Sequence, residues 1–293
     1  MWKFVIGVLI IAVLLVIGEI IRENKVFRVT RYHVRSPKLD NSIRLIFISD
    51  LHNKSYGNHN QKLIEAIDAQ RPDMILVGGD MLVGRSSIEC FDEAVALLKT
   101  LSEKYLVYYA NGNHEQRMKE DRQVYGDMYE RYIEQIKGCG IHFLANQTET
   151  ILINGQAIDI SGLEIFFQCY TKGLRREEFT KADMETCIGP RKERRYRILL
   201  AHNPAYIDTY KEWGADLILS GHLHGGLVRI PGIGGIISPQ LKLFPKYSGE
   251  FHHEENADIV VSKGLGSHTI PIRLFNVPEL IVIQLKQNKQ HRL

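Results

Sequence analysis

The sequence predicts an α/β fold, a domain of strand–helix–strand units on a buried sheet, preceded by one apolar N-terminal helix. Three observations carry that expectation. Short apolar runs of strand length alternate with helix-like stretches along most of the chain. Several of those runs end on a carboxylate, an amide or an imidazole. A charge-free run, Phe4 to Gly18, opens the sequence.

That opening run, "FVIGVLIIAVLLVIG", continues through Ile20 and Ile21 past a single Glu19. Spanning a bilayer takes about 20 residues, with a lower limit near 17. No small-x-small cleavage site follows, only "EIIRENKVFR", so an uncleaved single-pass anchor in the cell membrane is expected over 1–22 rather than a signal peptide. Lys3 precedes the run and Arg22, Lys25, Arg28, Arg31 and Arg35 follow it. Counted literally, those charges keep the C-terminal side in the cytoplasm, but one short anchor leaves the side open.

After a basic linker, 23–39, the repeats begin. "IRLIFISD" (Ile43 to Asp50) reads as a strand, "QKLIEAIDAQ" as a helix, and "PDMILVGGD" (Pro72 to Asp80) as the next strand. An amphipathic stretch from Ser87 to Ser102 leads to "YLVYYANGNHE" (Tyr105 to Glu115). Tyr125 to Lys137 reads as a helix stopped by "GCG", and "IHFLAN", "ETILING" and "AIDISGLE" as short strands between turn residues. "RRYRILLAHNP" restarts the pattern with a strand ending at His202. "AYIDTYKEWGA" is a helix and "DLILSGHLHGG" the following strand. The tail segments "ADIVVSKGLGS" and "PELIVIQLK" are expected to close a second sheet. No internal linker divides this part, so one domain is expected over 40–287.

Composition excludes several classes. The chain has 293 residues, 44% of them hydrophobic and 24% charged, and can bury a sizeable core. A net charge of +3 gives no reason to expect nucleic acid, and "RKERRYR" (Arg191 to Arg197) reads as a solvated connection. Cys90, Cys139, Cys169 and Cys187 are far apart, without a C-x-x-C pair, and are expected as free thiols.

The chemistry gathers at the C-terminal ends of the expected strands. Asp50 and His52 follow the first, Asp80 the second, Asn113 and His114 the third, His202 a later one, and His222 and His224 the next. Ligands of open α/β sheets bind beyond the carboxyl ends of the strands. One such Asp is ordinarily a helix cap, but five strands repeating the pattern are not explained that way. Imidazole and carboxylate without thiolate suit Mn, Fe, Zn or Ni. Asp50, His52, Asp80, Asn113, His202, His222 and His224 are too many ligands for one ion. Two ions about 3.5–4 Å apart need a bridging carboxylate, and such a pair is suited to in-line displacement at phosphorus by a metal-activated hydroxide.

"DLH" (Asp50 to His52), "GGD" (Gly78 to Asp80), "GNHE" (Gly112 to Glu115), "AHNP" with His202, and "GHLH" (Gly221 to His224) together resemble the five blocks of the calcineurin-like metallophosphoesterases, in order and over nearly all of the soluble chain. The anchor, "SGHLHGG" and "GLGSHTIPIRLFNVPEL" are most similar to the membrane-associated branch with phosphodiesterases of the YkuE and YaeI type. The resemblance implies a four-layer α/β/β/α sandwich of two mixed sheets and a dinuclear-metal hydrolase cleaving a phosphoester, most simply a phosphodiester. It implies Asp50, His52 and His224 on one ion, Asn113, His202 and His222 on the other, and Asp80 bridging. His114 would face the scissile phosphate and protonate the leaving oxygen. The glycines before Asp80, Asn113 and His222 would permit close backbone approach.

Other readings stay open at this point. A phosphomonoesterase, a pyrophosphatase on a lipid-linked nucleotide such as UDP-diacylglucosamine, and a non-catalytic metal-binding scaffold share the motifs; the intact ligand set with His114 argues against the scaffold. Many relatives continue the second block as "GDxxD", whereas this chain has "GDMLVGR", which puts the support of Asp80 in question and brings Arg85 into consideration. Glu115 is a candidate to orient His114. His268 and Arg273 suit either a substrate contact or a structural role. His59, His142, His252 and His253 are expected at the surface or in packing, and the glycine-rich loop Gly225 to Gly235 suits either a lipid chain or a plain turn.

Overall fold

A computed structural model describes residues 1–84, 91–170, 177–191, 194–226, 228–230, 232–237, 243–267 and 271–288. Fourteen strands are formed in chain order: β1 (Arg28–Ser36), β2 (Ile43–Ile48), β3 (Met74–Val77), β4 (Leu106–Ala110), β5 (His142–Leu144), β6 (Gln147–Ile153), β7 (Gln156–Leu163), β8 (Tyr196–Ala201), β9 (Leu217–Ser220), β10 (Arg229–Ile230), β11 (Gly234–Gly235), β12 (Glu250–Glu254), β13 (Ala257–Val261) and β14 (Glu279–Gln287). The helices are α1 (Trp2–Glu23), α2 (Gln61–Asp68), α3 (Asp92–Ser102), α4 (Asn113–Glu120), α5 (Arg122–Tyr125), α6 (Met128–Gly138), α7 (Lys181–Ile188) and α8 (Ile207–Trp213).

Two six-stranded sheets face each other, ordered β1-β14-β2-β3-β4-β5 and β12-β13-β9-β8-β7-β6, and both are mixed. Side chains alternate between faces along each strand, and both faces are covered. Leu45, Phe47, Leu76, Tyr108, Ile198, Leu200, Leu217 and Leu219 point between the sheets. Ile46, Ile48, Ile75, Val77, Val107 and Tyr109 point the other way, onto side chains of α2, α3 and α6. Leu199, Ala201, Ile218, Ile259 and Val261 meet α7 and α8 on the outer face of the second sheet. The result is the expected α/β/β/α layering. Burial on both faces explains why these strands read as unbroken apolar runs.

The chain ends depart from the sequence reading. The tail segment "PELIVIQLK" does not join the second sheet: β14 lies in the first, parallel to β1 and antiparallel to β2. Part of the supposed linker is β1, the edge of that sheet. Its "RVTRYHVRS" puts charges on an edge strand, the ordinary protection against edge-to-edge pairing, and such a strand resembles a basic linker in sequence. Arg195 and Arg197, expected on a solvated connection, turn onto Asp159 instead, at 2.9 and 3.2 Å.

α1 has 22 residues, so it is about 33 Å long at 1.5 Å per residue. Its apolar side chains are exposed, and by length and composition it qualifies as a membrane span or a signal sequence.

Leu200, fully buried between the sheets, is a direct probe of that layer. Leu200→Ala should cost about 2–5 kcal/mol, read as a lower midpoint in denaturant unfolding of the detergent-solubilised chain. An unchanged midpoint would mean that the sheets are not packed on each other there.

Candidate metal centre

All eight singled-out side chains converge where the C-terminal ends of the two sheets meet. The loops after β2, β3 and β4 bring Asp50, His52, Asp80, Asn113 and His114 from the first sheet; those after β8 and β9 bring His202, His222 and His224 from the second. Asp50, His52 and His224 form one group of possible ligand atoms within 4.8 Å of one another, Asp80, His202 and His222 form another, and His52, Asp80 and His114 lie between them as a third. Asn113 joins the second group through Oδ1, 2.6 Å from His222 Nδ1. His222 and His224 therefore point into different groups.

The backbone is bent to achieve this. Asp50, His52, Asp80, His222 and His224 all have positive φ, between 49° and 70°. Non-glycine residues hold that conformation only where their surroundings enforce it, and such positions collect at functional sites. The surroundings are close backbone contacts. A Cβ on Gly221 would lie 2.1 Å from Ser49 Oγ and 2.3 Å from Asp50 Oδ2, and one on Gly112 would lie 2.2 Å from Asp80 Oδ1. Gly221 lets a loop of the second sheet touch a carboxylate of the first, and Gly112 lets two neighbouring loops of the first sheet close on Asp80.

Hydrogen bonds fix the tautomers. A carbonyl oxygen only accepts, so a ring nitrogen facing one must carry the proton. His202 Nδ1 faces Gly78 O at 2.7 Å, His224 Nδ1 faces Gly266 O at 3.2 Å, and His52 Nδ1 faces Leu82 O at 3.3 Å. When neutral, these three rings present bare Nε2 lone pairs. Two of those, on His52 and His224, lie 3.2 Å apart. His224 Nε2 is 3.5 Å from Asp50 Oδ1 and His202 Nε2 is 3.2 Å from Asp80 Oδ2. Acceptors crowded this way repel one another unless a cation lies among them. The residues present therefore fit divalent metal, and the Nδ1–H···O=C bonds are the usual orienting contacts of metal-binding imidazoles.

His114 differs. Its Nδ1 accepts from the backbone N–H of Gly84 at 3.3 Å, so Nε2 carries the proton, 4.0 Å from Asp80 Oδ2. In that tautomer the nitrogen facing Asp80 is a donor, unlike the bare Nε2 atoms of His52, His202 and His224.

Charge in the cluster follows the same logic. Burial pushes Asp50 up to about 6, with His202 pulling it down and the Asp80 charge pushing it up. Burial also acts to raise Asp80, but His202 and His114 hold it well below the ordinary carboxylate range. Burial opposes a charge on His202, yet Asp80 above all, with Asp50, lifts it to about 10. The site demands positive charge, and a proton on His202 supplies it until a metal competes for the same lone pair.

Support for Asp80 comes from an unexpected direction. Glu115 is fully buried and its carboxylate accepts from the backbone N–H of Asp80, Met81 and Gly112 at 2.9–3.0 Å and from Tyr109 OH at 2.7 Å. It thus clamps the second block to the third and orients Asp80 rather than the His114 ring. Arg273 is also structural: it is buried and donates to the carbonyls of Lys263 and Gly266 at 2.8 and 2.6 Å, fixing the loop behind His224. Asn276, not anticipated from sequence, donates to His224 O at 2.7 Å and to Gly226 O; an Asn amid loop residues carries no pattern to single it out. Tyr170 lies edge-on to His222 with ring centroids 5.3 Å apart. His59, His142 and His253 pair with Glu93, Glu149 and Asp258, and His252 meets Gly249 O, all away from the centre. Arg85, Cys90 and His268 lie outside the described residues.

Comparison with known proteins agrees with this geometry. The sequence profile described as calcineurin-like phosphoesterase matches residues 43–226, which contain all eight side chains. An uncharacterised metallophosphoesterase of Helicobacter pylori is 30% identical over 86% of this chain and 62% of its own length. The uncharacterised metallophosphoesterase YkuE of Bacillus subtilis is 25% identical over 83% of this chain and 79% of its own length. The phosphodiesterase YaeI of Escherichia coli is 26% identical over 83% and 82%. The chain thus spans 62% of the length of the Helicobacter relative.

Gly221→Ala tests the close approach without removing any ligand. Displacing Asp50 should weaken metal affinity about 10–100-fold, measured by chelator competition with Mn. Affinity equal to that of the parent chain would show that the Gly221 contact does not hold Asp50 in place.

Proposed function

This chain belongs to the calcineurin-like phosphoesterase family, and we propose that it is a membrane-anchored, dinuclear-metal hydrolase of a phosphodiester. Asp50, His52 and His224 would hold one divalent ion, and Asn113, His202 and His222 the other. Asp80 would be shared, since its Oδ2 is 3.2 Å from His202 Nε2 and 3.9 Å from His52 Nε2, members of the two groups. Two such ions, when bound, neutralise charge on phosphoryl oxygens and acidify water at neutral pH; the donor set suits Mn, Fe, Zn or Ni alike.

The observation that carries the proposal is the opposed tautomer of His114. Three rings offer lone pairs and one offers a proton, all at one place. In hydrolysis, a water oxygen adds to phosphorus as the bond to the leaving oxygen breaks in line. The leaving oxygen then needs a proton, and His114 Nε2–H is positioned to give it. The neutral amide of Asn113 adds no negative charge, which leaves the site receptive to an anionic substrate. Glu115 and the Nδ1 bonds to Gly78, Leu82 and Gly266 hold these groups in place, so the site needs little rearrangement during the reaction.

α1 is proposed to remain as the single membrane span in the cell membrane, because the residues at its end are built into the fold. Glu23 is buried and accepts from the backbone N–H of Asn276 at 2.9 Å, and Asn24 donates to Pro271 O at 2.7 Å.

Two substitutions separate ligand from acid. Asp80→Asn should abolish turnover of an aryl phosphodiester and lower metal content with the fold retained. His114→Gln should keep its metal but lose about 10²–10⁴-fold in kcat, more with an alkyl than with an aryl leaving group. Full activity in a folded, metal-stripped Asp80→Asn chain would overturn the mechanism. A panel of aryl monophosphate, aryl phosphodiester, cyclic nucleotide and nucleotide-diphosphate lipid, assayed with Mn, decides the bond cleaved: a preference for the first or the last would replace the phosphodiester assignment.

A further inference from the structure

The described part of the domain carries a cluster of exposed apolar side chains at one place. Ile230, Ile233, Leu243, Phe244, Ile272 and Phe275 are between 38% and 67% exposed. They belong to one connected set of loops. Val228 bridges to Leu274, Arg229 N–H donates to Leu274 O at 3.1 Å, β10 pairs with β11, Ile237 bridges to Leu243, and Phe244 N–H donates to Ile236 O at 2.8 Å. Exposed large apolar residues elsewhere on the described domain, such as Leu106, Val124, Leu152 and Phe166, are scattered singly, which needs no explanation.

These loops are bound on one side to the metal-centre loop and on the other to the end of α1. Asn276 is the link: its backbone N–H donates to Glu23, the last residue of α1, while its side chain donates to the carbonyls of His224 and Gly226. Phe275 lines one cleft with Glu19, Arg22 and Arg28, so it stands beside the helix where the helix leaves its apolar stretch. The cleft balances Arg22, Arg28 and Lys263 against Glu19, Glu23 and Glu279, and Arg22 is paired with Glu19 at 2.6 Å, while Lys25 is exposed just past the helix end. Exposed apolar side chains next to an exposed apolar helix are the composition that favours a lipid interface.

We propose that the segments 228–230, 232–237, 243–244 and 271–276 form a second, interfacial contact with the bilayer in which α1 is embedded, docking the metal-centre opening against the membrane surface. The occupant is lipid rather than a second protein because the patch is continuous with α1, whose exposed apolar side chains end where Asn276 and Pro271 hold Glu23 and Asn24. The consequence is a site that meets phosphoesters at headgroup level. This rests on the reading of α1 as a membrane span.

The test uses the full chain in vesicles of acyl-brominated phosphatidylcholine with a minority of phosphatidylglycerol, with tryptophan emission as the readout. In the parent chain Trp2, at the start of α1, should be quenched, whereas Trp213, which is buried in the domain, should not. In a Trp2→Phe background, Phe275→Trp and Leu243→Trp should each be quenched by brominated but not by ordinary lipid. Leu152→Trp serves as the control. Leu152 is exposed and pairs with Ala157 at the start of β7, the sheet edge opposite the metal centre, and should stay unquenched. Quenching of Trp2 without quenching at 275 and 243 would overturn the proposal and leave the anchor intact. Absence of Trp2 quenching would overturn the anchor itself, and the proposal with it. Emission at 275 that responds to protein concentration but not to bromine would assign the patch to a second copy of the chain instead.

Discussion

Two carboxylates, Asp50 and Asp80, lie fully buried between the ends of two sheets, and that juxtaposition dictates most of what surrounds it. Buried charge is costly unless it is compensated. Here compensation is organised as imidazoles that present their lone pairs inward, because backbone carbonyls hold the protons on their outer nitrogens. Lone pairs cannot balance carboxylates, so the arrangement calls for a cation, a proton on His202 or a metal among the lone pairs. The left-handed backbone at five of these residues and the side-chain-free approach of Gly112 and Gly221 are the geometric cost of bringing the groups so close.

Stability and function meet in Glu115. Its carboxylate caps the backbone of Asp80 and Met81 while also closing the turn into α4, and Tyr109 and Tyr132 continue its hydrogen bonding into the helical layer at 2.7 and 3.0 Å. Burial and the Asp80 charge lift it to about 7, another sign that this end of the molecule is short of positive charge until metal binds. At the other side, Asn276 joins the loop of His224 to the end of α1, so the orientation of the helix and the position of that loop are mechanically connected.

Much of the architecture was legible because strands covered on both faces have unbroken apolar runs, and their ends are marked by polar residues out of place in such runs. The strands β2 to β9 and the candidate side chains followed from that, and the layering from the family resemblance of the motifs. What was not legible had opposite signatures. β1 disguises itself as a basic linker because an edge strand is half solvated. β14 has the same apolar run as β13, and nothing local says which sheet it enters; only its pairing with β1 and β2 decides. Glu115 looked like a partner of its neighbour His114, since adjacency in sequence is all that residues on a line can offer.

The residue pattern alone singled out eight side chains, the chemistry they can perform and an apolar segment long enough to cross a bilayer, because ligand type and strand-end placement are local properties. Tertiary structure decided how they are used. The family resemblance had already implied different ions for His222 and His224; the fold supplied the means, since Leu223 turns the chain between two left-handed residues. It also supplied a physical basis for treating His114 apart from the other rings, because tautomers are set by carbonyls and amides that arrive from other loops. That information exists only once the two sheets face each other.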